Sequence, residues 1–326
     1  MIKKLLFVVA STVLMSGCVD EEKNASNRVI DYKQEMRNFV QNISKYAKAG
    51  KPNFIIIPQN GPELLTENGQ LNGTTSSAYI QAIDGVGRED LFYGYNNDYL
   101  PTPVPAKDHM MSFLDLAKNN GLKIMVIDYC STQSFVDDAY LQNAAKGFVS
   151  FAADHRELDN IPAYPANPFN MHSSNITSLS EAKNFLFLIN PNYSNKKEFI
   201  NALRNSNYDL LFIDAFLGAE ILTFEEIASL KTKNNGASRL VIAYLSIGEA
   251  EDYRYYWQDE WKKNPPRWLA EENPNWPGNY KVSYWDPDWQ KIVYGNDRSY
   301  LNRIIDAGFD GVYLDIIDAF EYFENQ

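Results

Sequence analysis

The sequence is poor in the residues that build disulfide, metal and nucleic-acid sites. Two of its 326 residues are cysteines, Cys18 and Cys130, and because Cys18 directly follows an export signal we expect no intramolecular disulfide. The three histidines, His109, His155 and His172, fit no metal-ligand spacing, so we expect neither a metal nor another cofactor. A net charge of −12 without a basic run argues against a nucleic-acid partner.

One apolar run of signal-peptide length opens the chain. Residues 1–17 carry two lysines followed by "LLFVVASTVLMSG", which is too short to span a bilayer comfortably and predicts a signal peptide. "LMSGC" resembles a bacterial lipobox, which predicts lipidation of Cys18 and a polar tether over residues 18–29. An ordinary cleaved signal with an incidental cysteine is the alternative. We therefore expect an exported lipoprotein of the bacterial cell envelope, at the outer membrane or cell surface, touching the membrane only through its N-terminal lipid.

Short apolar runs rich in Ile, Val, Leu and Phe recur along the rest of the chain. Near-continuous runs of this kind predict strands buried on both faces, as in a parallel sheet. Eight of them with helices between indicate a (β/α)8 barrel over residues 30–326, with a doubly wound open sheet as the alternative. The runs cover residues 54–58, 79–87, 123–129, 147–154, 185–191, 210–216, 240–248 and 311–318.

Helical patterns fall between the predicted strands. Thr223 and Glu226 have the spacing of a capping box at the start of one helix. Residues 159–182 are rich in Pro, Asn and Ser without periodicity and predict a linker. The predicted helices cover residues 111–121, 196–206, 223–236 and 289–308.

The two ends of the chain each leave one element without a partner. Residues 27–50 carry a single apolar stripe that predicts a helix with no strand before it. The last strand, 311–318, ends close to the C-terminus with no predicted helix after it. If the last strand lies beside the first, the N-terminal helix covers it and the barrel closes across the termini. The alternative is a barrel in ordinary order with an added N-terminal helix.

Five long motifs carry a resemblance to a known family. In the order "RLVIAYLSIGEAEDYRYYW", "WPGNYKVSYWDPDWQKIV", "AGFDGVYLDIIDAFEYF", "PNFIIIPQNGPELL" and "AIDGVGREDLFYGY", the chain resembles glycoside hydrolase family 114 and its endo-α-1,4-polygalactosaminidase-like relatives. The resemblance covers most of the chain from about residue 30. In the family these motifs run uninterrupted, whereas here the last two come first. The resemblance therefore implies a circular permutant in which residues 159–182 bridge the ancestral ends.

Acidic side chains dominate the predicted C-terminal ends of the strands, where barrel active sites lie. A ring of Asp and Glu, without histidine clusters, a phosphate-binding glycine loop or a G-x-S-x-G motif, argues for glycosyl transfer by paired carboxylates. The strand-end candidates are Gln59, Asn60, Asp84, Glu89, Asp90, Asp128, Tyr129, Asp154, Asp214, Tyr244, Ser246, Glu249, Asp315 and Asp318.

The resemblance implies which two carboxylates are catalytic. Asp315 in "YLDIID" occupies the position of the family's catalytic Asp, and Glu89 in "GREDLF" that of its Glu partner. We assign Asp315 as nucleophile and Glu89 as general acid/base, with the reverse assignment open. Asp90 is the competitor of Glu89, because a shift of one residue exchanges inward and outward side chains. For Asp128 and Asp214, a helix N-cap or loop anchor is an equal alternative.

The long segment from 250 to 286 is dense in Trp and Pro and predicts one wall of a substrate groove. We expect Trp285 and Asp286 to contribute to this wall, although the segment alternatively only caps the barrel. Glu249 is expected to bind sugar hydroxyls or to hold Arg254. The neighbouring aromatic residues, Tyr253, Tyr255, Tyr256 and Trp257, are candidates for stacking on sugar rings.

Together these features predict a secreted, lipid-anchored, retaining endo-glycosidase that cleaves an α-linked, galactosamine-type polysaccharide. The residues assigned to substrate binding are Gln59, Asn60, Asp90, Asp128, Tyr129, Asp214, Tyr244, Glu249, Trp285, Asp286 and Asp318. The main alternative is a non-catalytic carbohydrate-binding lipoprotein on the same barrel. A deacetylase-like hydrolase is a weaker alternative, because it ordinarily needs a metal site that the histidine positions do not supply.

Overall fold

The computed structural model describes residues 30–326. The predicted signal peptide 1–17, the predicted lipidation site Cys18 and the tether 18–29 lie outside the described residues. Residues Tyr32–Gln326 form one compact unit. Across the part of the chain that is described, no helix has both the length and the apolar character needed to cross a bilayer.

Eight parallel strands form the centre of the fold. Seven lie within a few residues of their predicted positions, but the run at 79–87 is only partly strand. Its first half belongs to a helix, because Tyr79, Ile80 and Ile83 are buried at helical spacing. The strands are β1 (Ile55–Pro58), β2 (Gly85–Glu89), β3 (Lys123–Tyr129), β4 (Val149–Ala153), β5 (Phe185–Leu188), β6 (Leu210–Asp214), β7 (Leu240–Ser246) and β8 (Gly311–Asp315).

The strands form two parallel sheets that meet at the end of β1. One sheet has the order β1-β8-β7-β6-β5 and the other β2-β3-β4. A parallel bridge between Gln59 and Gly87 joins them, and the Asn60 amide donates to the Gly87 carbonyl at 2.9 Å. Ile55 of the first strand pairs with Gly311 of the last. The predicted pairing of the first and last strands is therefore confirmed.

Nine α-helices are described within residues 30–326. The helix predicted over 289–308 is two helices, because the chain turns at Gly295, whose φ is 98°. The prediction that no helix follows the last strand was wrong, since a short one does. The helices are α1 (Tyr32–Gly50), α2 (Ser77–Ala82), α3 (Val104–Asn119), α4 (Gln133–Lys146), α5 (Lys196–Arg204), α6 (Phe224–Leu230), α7 (Pro287–Val293), α8 (Tyr300–Asp306) and α9 (Phe320–Glu324).

Helix α1 lies between α2 and the C-terminal helices. On one side the Ser44 hydroxyl donates to the Ala82 carbonyl at the end of α2, at 2.6 Å. On the other side the Tyr46 ring packs 5.9 Å from the ring of Tyr294. Most of the apolar stripe of α1, Met36, Phe39, Val40, Ile43 and Ala47, is fully buried, so helix burial, rather than intrinsic propensity, stabilises this element. An ion pair between Lys33 and Glu324 brings the start of α1 to the end of α9.

Two long segments leave the parallel strands. After β7, residues Glu249–Glu251, Asn279–Val282 and Leu269–Glu272 form a three-stranded antiparallel sheet in that spatial order. The segment 159–182 contains one 3₁₀ turn, Leu179–Glu181, and otherwise irregular backbone. The buried Lys233 ammonium holds this segment by donating to the carbonyls of His172 and Ser174 at 3.2 and 3.0 Å.

Candidate active site

A cavity of about 330 Å³ opens at the carboxyl ends of the strands. Its lining comes from strands or strand ends on both sheets, so distant parts of the sequence converge there. Polar and carboxylate side chains predominate. The structure brings together ten candidate site residues that the sequence singles out: Gln59, Asn60, Glu89, Tyr129, Asp214, Tyr244, Glu249, Tyr253, Asp315 and Asp318.

Glu89, the last residue of β2, is held by three side-chain donors. The Gln59 amide donates to one carboxylate oxygen at 2.5 Å and the Asn60 amide to the same oxygen at 3.3 Å. The Tyr129 hydroxyl donates to the other oxygen. These donors fix the position of the carboxylate and stabilise its negative charge.

Asp315, the last residue of β8, has fewer donors and a different environment. The Tyr244 hydroxyl donates to one oxygen at 2.6 Å and the Ile316 amide to the other at 2.8 Å. Burial, followed by the negative charge of Glu89, raises the pKa of Asp315 to about 7, against the opposing effect of the Tyr244 hydrogen bond. The backbone at Ile316 is left-handed with φ 55°. Such a conformation is strained for a β-branched residue and typical of functional sites.

Asp318 lies one short turn after Asp315 and also lines the cavity. Burial, the charge of Glu321 and the charge of Glu89 raise its pKa to about 7, whereas Arg88 opposes the shift. Asp315 and Asp318 are thus two carboxyl groups that readily hold a proton near neutral pH.

Arg254 joins two strand ends beneath the cavity wall. Its guanidinium donates to both oxygens of Asp214, at 2.9 and 2.7 Å, and to Glu251 at 2.5 Å. Asp214 also accepts from the Phe216 amide at 2.7 Å, so it anchors the loop after β6. The prediction that Glu249 holds Arg254 is corrected: Glu251 does.

Glu249 is fully buried and binds residues of the antiparallel sheet instead. Lys281 donates to it at 2.6 Å, Asn273 at 2.8 Å and Asn279 at 3.3 Å. A buried carboxylate needs such partners, and these three fix the segment 273–281 over the cavity.

The structure places Asp90 and Asp128 away from the cavity lining. Asp90 follows Glu89 with φ 61° and pairs with Arg156 at 2.9 Å, so the backbone turns its side chain away from that of Glu89. Asp128 is buried and accepts from the amides of Phe92 and Tyr93 at 2.7 and 3.0 Å. Its position corresponds to the loop-anchor alternative.

Trp285 and Asp286 also lie outside the cavity lining, which corrects their assignment to the groove wall. The Trp285 ring packs 4.7 Å from the ring of Phe323 in α9. Asp286 caps α7 by accepting from the Asp288 amide at 2.8 Å and pairs with Arg267 at 2.7 Å. Asp84 precedes β2 and therefore lies at the opposite end of the strand from Glu89.

Several cavity residues were not predicted. Arg156 lies three residues beyond β4, and its position just after a strand end is a signal that sequence reasoning could have used. Trp276 and Pro277 come from a turn within the 250–286 segment, where no periodicity distinguishes inward from outward residues. The other unpredicted lining residues are Leu158, Phe187, Ile189, Asn190, Glu251, Asn279 and Ile316.

Within residues 30–326 no three His, Cys, Asp or Glu residues are grouped so that they could hold a metal ion.

The fold and the cavity define an α/β protein whose parallel strands present carboxylates at their carboxyl ends. The sequence profile of Glycoside-hydrolase family GH114 matches residues 190–326. The resemblance to this family that the motifs predict is therefore confirmed over residues 190–326. Asp315 lies within the matched residues, whereas Glu89 precedes them.

Three curated relatives match parts of the chain, and each is an uncharacterized protein. One from Methanocaldococcus jannaschii is 45% identical over 179 residues, 54% of this chain and 49% of the relative. One from Thermotoga maritima is 55% identical over 85 residues, 26% of this chain and 25% of the relative. One from Deinococcus radiodurans is 44% identical over 127 residues, 39% of each. The chain spans at most about half the length of these relatives.

Among solved structures, the chain is similar to Aspergillus fumigatus Ega3, whose crystal structure is a complex with galactosamine. The sequence identity is 22%, the similarity covers 47% of this chain and 51% of that one, and the TM-score is 0.31.

Proposed function

We propose that this chain is a glycoside hydrolase in which Glu89 and Asp315 form the catalytic pair. The observation that carries the proposal is their shared position: both carboxyl groups line one cavity, each accepts from its own tyrosine, and the charge of Glu89 raises the pKa of Asp315. Paired carboxyls whose environments differ in this way are what acid-assisted glycoside cleavage requires. The match of residues 190–326 to the GH114 sequence profile supports the same reaction class.

The hydrogen bonds favour one of the two role assignments left open by the sequence. Three side-chain donors stabilise Glu89 as an anion, and the raised pKa of Asp315 favours its protonated form near pH 7. We therefore assign Asp315 as general acid and Glu89 as nucleophile, the reverse of the assignment made from the motifs.

With these roles the proposed reaction has two steps. Asp315 gives its proton to the glycosidic oxygen while Glu89 attacks the anomeric carbon, which releases one chain end and forms a glycosyl ester on Glu89. Asp315 then takes a proton from a water molecule, which attacks the same carbon and frees Glu89. Two displacements at one carbon retain the anomeric configuration.

The charge of the cavity favours a cationic sugar polymer. Carboxylates outnumber guanidinium groups in the lining, and an acidic cleft attracts positively charged ligands. We therefore propose an α-linked galactosamine-type polysaccharide, cleaved within the chain, which is the substrate class implied by the resemblance. With Asp315 and Asp318 protonated, the lining carboxylates are Glu89, Asp214, Glu249 and Glu251, against the guanidinium groups of Arg156 and Arg254.

For the fold, we propose a closed (β/α)8 barrel in circularly permuted order. The pairing of β1 with β8 and the position of α1 support it. The two sheets also end at β4 and β5. Between these two strands the Phe151 ring lies 5.9 Å from the Phe185 ring, and just beyond them the Ile189 amide donates to the Leu158 carbonyl at 3.1 Å. A chain with residue 326 joined to residue 30 and new termini within 159–182 is expected to fold with the same circular dichroism spectrum.

For localisation, we propose export and lipid anchoring through Cys18, on the basis of the sequence of residues 1–18. Mass spectrometry of the N-terminal peptide from a bacterial envelope fraction tests it. A diacylglyceryl group on Cys18 is expected. A soluble protein cleaved elsewhere would show the ordinary-signal alternative instead.

The deciding experiment measures reducing-end release from α-1,4-linked galactosamine and N-acetylgalactosamine polymers. Wild type is compared with Asp315→Asn and Glu89→Gln, and with matched controls at the exposed carboxylates Asp108→Asn and Glu225→Gln. We expect activity in wild type and controls and its loss in both site variants. Binding without cleavage by wild type would favour the non-catalytic carbohydrate-binding alternative. Neither binding nor cleavage would reject the proposed substrate.

A substrate with an activated leaving group separates the two roles. A glycosyl fluoride or an aryl glycoside with an acidic phenol needs little protonation of its leaving group. If Asp315 is the general acid, Asp315→Asn retains much more activity on this substrate than Glu89→Gln does. The opposite order would restore the assignment with Asp315 as nucleophile. Proton NMR of the first product then reports whether the anomeric configuration is retained.

A further inference from the structure

Two large aromatic side chains stand at the cavity with much of their surface in solvent. Tyr253 is 56% exposed and Trp276 is 47% exposed, and both line the cavity. Neither side chain is among the hydrogen-bond donors of Glu89 and Asp315, and the proposed acid–base chemistry does not use them. Exposed aromatic surface of this kind, beside a polar cleft, marks a ligand-binding face.

The Tyr253 ring is fixed in place by the chain itself. Its hydroxyl donates to Glu251 at 2.7 Å and lies 3.3 Å from the side-chain oxygen of Asn279. The Arg254 guanidinium lies 5.1 Å from the ring centre and is itself buried against Glu251. The ring therefore keeps its orientation without a ligand, which lowers the entropic cost of binding one.

The turn that carries Trp276 is equally well anchored. The Trp276 amide donates to the Asn273 carbonyl, and the Asn279 amide donates to the Trp276 carbonyl, each at 3.1 Å. The side chains of Asn273 and Asn279 both donate to the buried Glu249. Gly278 lies in the same turn with φ 89°. A residue with a side chain would be strained in this left-handed conformation, so the turn favours glycine at this position.

We propose that Tyr253 and Trp276 form a sugar-binding subsite beside the catalytic pair. This inference rests on the proposed function and specifies how the polymer is held. The ligand is the pyranose ring of a sugar unit outside the cleaved bond, whose apolar C–H face packs on the aromatic rings. A protonated amino group on that sugar adds a cation–π attraction, which is strongest for Trp and Tyr. The subsite therefore favours long cationic chains over short ones.

The chain-length dependence of cleavage tests the subsite. We compare kcat/KM on the shortest cleaved oligosaccharide and on the polymer for wild type, Tyr253→Ala and Trp276→Ala. Each variant is expected to lose about tenfold on the polymer, mainly through KM, which corresponds to about 1.4 kcal/mol of lost stacking. The shortest substrate is expected to be cleaved at the wild-type rate. Phe224→Ala removes a side chain that is 59% exposed on α6 and serves as the matched control.

Binding to an inactive enzyme separates this inference from the proposed function. In a Glu89→Gln background, titration with galactosamine polymer is expected to change tryptophan fluorescence, and Trp276→Ala is expected to remove that change and weaken binding. Equal losses on short and long substrates, or unchanged polymer binding in both aromatic variants, would overturn the subsite while leaving the hydrolase intact. Binding that depends on Trp276 without any cleavage would support the subsite and reject the hydrolase. Absence of both binding and cleavage would reject both.

Discussion

The Arg156 guanidinium lies 4.0 Å from the centre of the Tyr129 ring, and the Tyr129 hydroxyl donates to Glu89. Arg156 is itself held by Asp90 at 2.9 Å and by Asp98 at 3.0 Å. The stacked cation limits the movement of the ring and adds positive charge near the carboxylate. Arg156 is therefore a positioning residue that acts on Glu89 through Tyr129.

Arg156→Gln is expected to lower kcat/KM about tenfold, or about 1.4 kcal/mol. The reason is that Tyr129, which donates to Glu89, loses its packing partner. Arg156→Lys keeps the charge without the planar stack, so we expect it to lose part of this rate as well. Separate measurement of kcat and KM checks the positioning role, because the loss is expected mainly in kcat.

A double-mutant cycle between Arg156→Gln and Tyr129→Phe checks the pathway. If Arg156 acts through Tyr129, the double variant is little worse than Tyr129→Phe alone. Simple addition of the two effects would show that Arg156 acts independently of Tyr129.

Tyr244→Phe is expected to move the basic limb of the activity profile upward from about pH 7. The Tyr244 hydrogen bond opposes the rise in the pKa of Asp315, so its removal raises that pKa further and extends the pH range in which Asp315 holds its proton. The pH dependence of kcat/KM is the measurement. Tyr129→Phe is the control, because it leaves the donors of Asp315 in place. An unmoved basic limb in Tyr244→Phe would mean that Asp315 is not the proton donor.

Asp315→Asn is expected to stabilise the folded chain at neutral and alkaline pH. The pKa of Asp315 rises from 3.8 to about 7 on folding, chiefly through burial. Between about pH 4 and pH 7 the folded state therefore binds more protons than the unfolded state, so the free energy of unfolding falls as pH rises through this window. Asparagine carries no charge at any pH in this range, so it removes the free-energy cost of burying an ionised carboxylate. Replacing a functional residue often stabilises a protein in this way.

Thermal unfolding at pH 4 and pH 8 checks the effect. We expect the Tm of Asp315→Asn to exceed that of wild type at pH 8, and this difference to be much smaller at pH 4, which is close to the pKa of 3.8 of the unfolded aspartate. Glu225→Gln, which removes an exposed carboxylate, should show no such pH dependence. A variant that is less stable than wild type at pH 8 would contradict the assigned pKa.

Arg254→Met is expected to destabilise the fold by about 3–5 kcal/mol, the usual cost of leaving a buried charge unpaired. Here two carboxylates lose their partner, because Asp214 and Glu251 are almost fully buried and both bind Arg254. Urea unfolding measures the change. Arg267→Met is the control, since that side chain is largely exposed in its pair with Asp286 and should be tolerated. Equal unfolding midpoints for the two variants would contradict the structural importance of the buried pairs.

The sequence predicted the strands well because each is buried on both faces and reads as a short apolar run. The run from Lys123 to Tyr129 has the predicted bounds. Helix α4 was missed because its buried face includes Asn143, so its apolar contrast is weak. The pairing of the first and last strands was inferred from the N-terminal helix and the last strand, each of which lacked a partner in the sequence. This inference used the topology of the chain rather than a local sequence pattern.

The sequence predicted the site residues that lie at the end of a buried strand. It did not predict which residues of the long segment after β7 line the cavity. Glu89 and Asp315 end their strands, so the barrel rule locates them. The sequence favoured Trp285 over Trp276 wrongly, because neither residue lies in a periodic pattern that fixes the direction of its side chain. The hydrogen bonds that the buried Glu249 accepts from Asn273 and Lys281 decide which turn faces the cavity. Non-local contacts of this kind leave no local signal.

Gly87 lies in β2, two residues before Glu89. A Cβ atom on Gly87 would lie 1.9 Å from the hydroxyl oxygen of Tyr313, a buried residue of β8. That overlap forces β2 and β8 apart, and these are the strands that carry Glu89 and Asp315. We expect Gly87→Ala to lower the Tm and to reduce activity more than tenfold, because small displacements of catalytic groups cost about 10²-fold.

Two further variants make this steric argument testable. Gly50→Ala, at the end of α1 where no other atom lies within 4 Å of the added Cβ, should leave the Tm unchanged or slightly raised. Adding Tyr313→Leu to Gly87→Ala should recover part of the Tm, because the Tyr313 hydroxyl has no hydrogen-bond partner within the described residues and its removal relieves the overlap. Wild-type stability and activity in Gly87→Ala alone would show that the interior accepts a methyl group and that the spacing of the two carboxylates does not depend on this contact.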